Sequence, residues 1–81
     1  MYFTYIMYSR SIDRYYVGST QNVSERLRRH NADHSKSTKG KGPWIVVQNF
    51  PHQSRSDAIK LELKIKKRGI KRYLEDLRQS G

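Results

Sequence analysis

The chain has 81 residues, carries 17 Lys and Arg against seven Asp and Glu, and contains no cysteine. That length suits one domain, residues 1–81, with a thin core and no disulfide, thiolate zinc site or cysteine nucleophile. No apolar stretch approaches the ~20 residues of a membrane span, and a net charge of +10 points to a polyanion, nucleic acid being the commonest.

Residues 2–8 and 14–19 are rich in Tyr, Ile, Val and Thr around a polar stretch from Ser9 to Asp13, the pattern of a β-hairpin. The apolar start has no basic flank before it and no small-residue cleavage site, so it does not read as a signal peptide, and a cytoplasmic location is expected. With the turn centred between Arg10 and Ser11, partner numbers sum to 21 and Tyr5 lies opposite Tyr16. A slip of one residue would send the two rings to opposite faces, and the sequence favours neither register outright.

Residues 22–31 predict a short helix, capped by Thr20 or Asn22, with Val23 and Leu27 one turn apart for burial. The polar, glycine-dotted stretch to Gly42 predicts a loop whose cations are Lys36, Lys39 and Lys41, joined by His34 when protonated. Residues 43–50 open on a proline and continue with β-branched residues, predicting a third strand that Pro51 ends. Ser54 or Ser56 can cap a second helix reaching Arg68, with Gly69 as its stop. A third helix is expected over residues 70–78, with Ile70, Tyr73, Leu74 and Leu77 inward. The fold class is therefore α+β: a small three-stranded antiparallel sheet flanked by helices, in the order ββαβαα. The basic segments lack the Trp/Phe/Leu face of an interfacial helix, which argues against a membrane surface as partner.

One carboxylate falls in an unexpected place. At about 100° per residue, Ala58, Ile59, Leu61, Leu63 and Ile65 form an apolar arc with Glu62 near its middle, while Lys60, Lys64, Lys67 and Arg68 fill the other side. An ionised carboxylate there needs a cation or hydrogen-bond donors. Two readings are open: Glu62 sits at a shallow margin of the core and pairs with a Lys or Arg, or it binds a metal ion.

Thr4-Tyr5-Ile6 followed by Tyr16-Val17-Gly18 resembles the paired elements that name the GIY-YIG nuclease superfamily, although Thr4 and Tyr5 stand where the name has Gly and Ile. The run from Tyr16 to Thr20, that from Glu25 to Asn31, the Lys39–Trp44 segment and Ala58-Ile59-Lys60-Leu61-Glu62 resemble the rest of the pattern, in order. The likeness spans about residues 2–68 and is greatest to small stand-alone bacterial members.

The resemblance implies hydrolysis of a phosphodiester by water, in DNA that is branched, nicked or duplex, with RNA also compatible; repair, recombination or processing of structured DNA is the implied setting. Arg26 would steady the scissile phosphate, for which its planar fork is suited, and His30, four residues on, would bond the phosphate or orient a tyrosine. Glu62 would ligate one metal ion, Mg²⁺ with Mn²⁺ as substitute, which keeps several waters. Tyr5 is the choice for activating the water and Tyr16 for positioning it or the phosphate, roles the two could exchange. Ionising a phenol of pKa about 10 at neutral pH requires about three units, or roughly 4 kcal/mol, which Arg26 and the metal would have to provide. Gly18 would let the backbone approach phosphate or metal closely, and Lys36, Lys39 and Lys41 would meet the nucleic-acid backbone. Several family members carry an asparagine on the last helix; here Gln79 stands too far along to match. Relatives add domains that choose the target, and this chain has no room for one, so substrate shape or a protein partner is expected to direct it. The competing reading is a basic nucleic-acid-binding module that keeps the fold without turnover.

Overall fold

A computed structural model, which describes residues 1–32 and 38–80, contains the elements in the expected order: β1 (Tyr2–Ser9), β2 (Arg14–Thr20), α1 (Val23–Asn31), β3 (Trp44–His52), α2 (Arg55–Arg68) and α3 (Ile70–Ser80). The strands pair antiparallel in the order β2-β1-β3, so the hairpin's second strand and β3 are both edges.

The hairpin register differs from the one set out for a tight central turn. Ser9 pairs with Arg14, leaving four loop residues, and partner numbers sum to 23, as in Tyr5 with Gly18 and Met7 with Tyr16. Asp13 accounts for the longer loop: it adopts a left-handed φ of 51° and accepts a 2.8 Å hydrogen bond from the Tyr8 hydroxyl. A slip of two residues preserves the face on which each side chain stands. Tyr5 and Tyr16 are therefore diagonal neighbours on one face, with ring centroids 6.4 Å apart. The third strand also runs past its expected end, because Pro51 pairs with Phe3 and His52 with Tyr2. An edge strand tolerates proline, whose missing N–H need not interrupt a ladder.

The alternation of strand side chains divides the core in two. On one face Tyr5, Met7 and Trp44 pack with Tyr16 and Val46 beneath Val23 and Leu27 of α1. On the other, Ile6 and Val17 meet Ile65, with Leu61, Ile70, Tyr73 and Leu74 arriving from α2 and α3. Full burial of an Ile such as Ile6 or Ile65 contributes about 1.5–3 kcal/mol. Asn22 caps α1 by accepting from the Glu25 N–H at 3.0 Å, and Ser54 caps α2 by accepting from the Asp57 N–H at 3.2 Å. The buried Thr4 hydroxyl donates to the Ala58 carbonyl at 2.8 Å and is met by His52 Nε2 at 3.0 Å, fixing the start of α2 against β1.

The apolar arc expected of α2 is narrower than drawn. Leu63 is 58% exposed, and the stripe that meets the sheet is Ala58, Leu61 and Ile65. Leu61 and Leu63 stand about 200° apart around the axis, so one sheet cannot cover both. Glu62 thus lies at the margin of the packed stripe, not at its centre.

Candidate active site

The site is built where Tyr5 crosses the edge of the sheet. Its partner in β2 is Gly18, and a Cβ there would lie 2.6 Å from Tyr5 Oη and 2.9 Å from Cζ. Only a residue without a side chain lets the tyrosine ring lie across β2. The function expected of Gly18, close approach of phosphate or metal, therefore has a more immediate counterpart inside the protein: it makes room for Tyr5.

Tyr5 is 1% exposed, and its hydroxyl lies 3.0 Å from Nε2 of His30, itself 3% exposed. His30 Nδ1 meets the buried Thr38 hydroxyl at 2.8 Å, so both ring nitrogens are engaged. The half-buried Tyr16 ring lies 5.0 Å from the imidazole and meets Trp44 edge-on at 6.4 Å. Burial pushes the Tyr5 phenol up to about 12, while the nearby Arg26 guanidinium pulls the other way and the charges of Tyr16 and Glu62 add to the rise. Burial, then Arg26, hold the His30 imidazole below its ordinary value, keeping it neutral at pH 7. These environments work against the phenolate that the resemblance assigns to Tyr5.

Arg26 stands one turn before His30 on α1, is exposed, and forms no ion pair with a carboxylate among the described residues. Beside it runs a groove of about 250 Å³ lined by Tyr2, Ser19, Thr20, Gln21, Arg26 and Arg55: two guanidinium groups and three hydroxyls, with no acid among the described residues. On the other side of β2, the Glu62 side chain is 17% exposed and its Oε2 accepts a 2.8 Å hydrogen bond from Lys66 Nζ. Of the two open readings of Glu62, the structure meets the first, since the side chain sits at the core margin and pairs with a lysine. It is nonetheless close enough for its charge to act on Tyr5. Lys66 is raised above its ordinary value, first by Glu62, and Tyr16 adds in the same direction. Because β2 is an edge strand, groups from α1 above the sheet and α2 below it meet along this border.

Tyr5, Tyr16, Arg26, His30 and Glu62 are therefore brought to one neighbourhood. Lys41 lines an adjoining groove with Arg14, Tyr16 and Trp44, whereas Lys39 is exposed on the turn before it. Lys36 and His34 lie outside the described residues.

Sequence reasoning missed four contributors. Arg14 and Arg55, which belong to none of the motifs, were not singled out, and Lys66 was passed over although its i+4 spacing from Glu62 was a usable signal. Thr38, inside a stretch read only as a polar loop, gave no signal at all. Asn31 also has more to do than end a helix: its amide donates to the Trp44 carbonyl at 3.0 Å and its carbonyl accepts from the Trp44 N–H at 2.6 Å.

A profile of the GIY-YIG catalytic domain matches residues 1–73. The chain is 38% identical over 58 residues to the structure-specific endonuclease subunit SLX1 of Mus musculus, covering 63% of this chain and 22% of that protein. It is also 38% identical over 53 residues to a UPF0213 protein of Halobacterium salinarum, covering 64% of this chain and 69% of the relative. The chain thus spans about a fifth of the length of the SLX1 subunit it matches. The solution NMR structure of a UPF0213 protein from Bacillus halodurans aligns with a TM-score of 0.56 and 28% identity, over 95% of this chain and 85% of that one.

Proposed function

The chain belongs to the GIY-YIG family, and from that membership we propose that it is a metal-dependent endonuclease hydrolysing phosphodiester bonds in branched or nicked DNA during repair, recombination or processing. The observation that carries this reading is the meeting of Arg26, Tyr5, His30, Tyr16 and Glu62 along the edge of β2, beside a cationic groove lined by Arg26 and Arg55.

The donor set fits one hard divalent ion. Among the described residues no three His, Asp or Glu side chains gather into a metal cage. Mg²⁺ does not need one, since it binds through one or two carboxylates and completes its shell with water and substrate phosphate. Glu62 already faces a cationic group, the Lys66 ammonium, at 2.8 Å. An i,i+4 helix pair whose lysine is half exposed is worth on the order of 1 kcal/mol, so Lys66 can yield the position. Glu62 would hold the ion, which when bound polarises a phosphoryl oxygen and offsets developing negative charge.

The chain's own groups supply the rest. Arg26 pairs with no carboxylate among the described residues and presents a fork for two phosphate oxygens, with Arg55 beside it for a neighbouring phosphate. Tyr5, buried and protonated at neutral pH, donates to His30 Nε2 and fixes the floor under Arg26. His30 then donates from Nδ1 to Thr38, an assignment that satisfies both nitrogens of a neutral imidazole. Tyr16, half-exposed and beside Lys66, is the tyrosine placed to orient the attacking water. This ordering gives Tyr16 the solvent-facing task and Tyr5 the supporting one.

The test is a panel of end-labelled flap, nicked, single-stranded and plain duplex DNA incubated with Mg²⁺ or Mn²⁺, with Glu62→Ala protein alongside. Cleavage of a branched or nicked member, lost in Glu62→Ala, is the expected result. Salt-sensitive binding with no cleavage under either ion would leave a binding module instead.

A further inference from the structure

We propose that the corner between α2 and α3 is a second phosphate-backbone surface, holding a duplex flank of the DNA whose cleavage is proposed above. It rests on that reading only for the identity of the polyanion.

Lys66, Lys67, Arg68, Lys71 and Arg72, with Glu75, line an open groove around Gly69. Two of these cations are answered within the protein: Lys66 by Glu62 at 2.8 Å and Arg68 by Asp76 at 2.8 Å. Lys67, Lys71 and Arg72 form no ion pair among the described residues. The basic face of α1 differs, because Arg28 and Arg29 there both reach Glu25. Crowding unanswered cations at one bend works against the fold through self-repulsion, a cost that a bound polyanion would remove.

Charge placement on the helix points the same way. The first turns of α1 and α2 carry Glu25 and Asp57, which suit the positive end of a helix dipole. The first turn of α3 has no acid and holds Lys71 and Arg72. These cations add to the dipole's positive end, a local violation of the usual pattern that fits a surface shaped for an external anion.

The groove is also continuous with the candidate active site, because Lys66 lines the first and bonds Glu62 in the second. A nucleic-acid backbone entering past Lys66 would therefore run on to Lys67, Lys71 and Arg72. Ile70, which also lines the groove, is partly buried against the core, so the groove offers lipid no broad apolar face.

The experiment measures binding, not cutting, so its outcome is separable from that of the hydrolase reading. Fluorescence anisotropy of labelled nicked duplex is followed against salt, using Glu62→Ala protein with and without Lys67→Ala, Lys71→Ala and Arg72→Ala together. Each lost phosphate contact on B-form DNA lowers the log–log slope by about 0.9, so a slope shallower by about 2–3 is expected. A control set, Arg10→Ala, Lys60→Ala and Arg78→Ala, removes equal charge away from the groove and should change the slope by less. Charge-keeping swaps, Lys67→Arg, Lys71→Arg and Arg72→Lys, should restore it, which separates lost contact from lost fold. An unchanged slope, or an equal change in the control set, overturns the proposal. So does loss of binding to phosphatidylglycerol vesicles with DNA binding intact. If the slope falls as expected while wild-type protein cuts nothing, the surface stands and the hydrolase reading fails.

Discussion

Tyr5, His30 and Thr38 form a buried line of polar contacts, and each depends on a neighbour that is small or aromatic for a physical reason. Gly18 is the clearest case. Gly18→Ala places a methyl group 2.6 Å from Tyr5 Oη, so the ring must move and with it the bond to His30. Overpacking of this kind costs about 1–3 kcal/mol, and misplacement near the chemistry by about 1 Å can cost roughly 100-fold in rate. Cleavage should therefore fall far more than the melting temperature, as parallel rate and thermal-unfolding measurements would show. His30 carries a pH signature as well. Its folded-state pKa is depressed by burial and Arg26, so on acidification below about 6.5 the unfolded chain takes up a proton that the folded chain resists. Stability from this group is complete above that value and declines as pH falls toward the folded pKa. Thermal scans between pH 7 and 5 should show a steeper loss in wild-type protein than in His30→Gln; equal slopes would contradict the assignment.

At the level of elements, the connection from α1 to β3 is held by side chains as well as by backbone. Asn31 clamps both polar groups of the Trp44 backbone, while Thr38 takes the Trp44 indole N–H on its carbonyl at 3.4 Å and His30 on its hydroxyl. Asn31→Ala leaves these partly buried groups unpaired at a cost of about 1–3 kcal/mol. Its expected effect is a lower melting temperature together with weaker cleavage, because Trp44 backs the Tyr16 ring. No stability change in urea unfolding would show that water replaces the clamp. All six elements were legible in the sequence, since strand alternation, caps at Asn22 and Ser54 and the stop at Gly69 are local signals. The turn was less so: the left-handed Asp13 and the four-residue loop shift the register by two, which leaves the hydrophobic pattern unchanged and hence invisible to it. Leu63 was misplaced because periodicity gives a helix a face but not the width of the sheet that covers it. The juxtaposition of Tyr5, Arg26, His30 and Glu62 came from the family pattern, because only Arg26 and His30 are near enough in sequence for spacing to join them.

Across the whole molecule, the sheet border explains how so small a protein assembles a site from both of its layers. β2 is an edge, Gly18 leaves a gap in it, and α1 and α2 approach that gap from opposite sides. The positive charge is distributed in a way that follows this geometry, with Arg26 and Arg55 on one flank, Arg14 and Lys41 on another, and the α2–α3 corner beyond Lys66. The central claim is that this border is a hydrolytic site using Arg26 and Glu62. It is tested most directly by single-turnover cleavage of labelled nicked or flap DNA in Mg²⁺, with DNA binding measured on the same Arg26→Ala and Glu62→Ala proteins. The account predicts that each substitution slows the chemical step by about 100-fold or more while binding persists. Cleavage at the wild-type rate by Glu62→Ala protein, or undiminished cleavage after chelation of the metal, would contradict it.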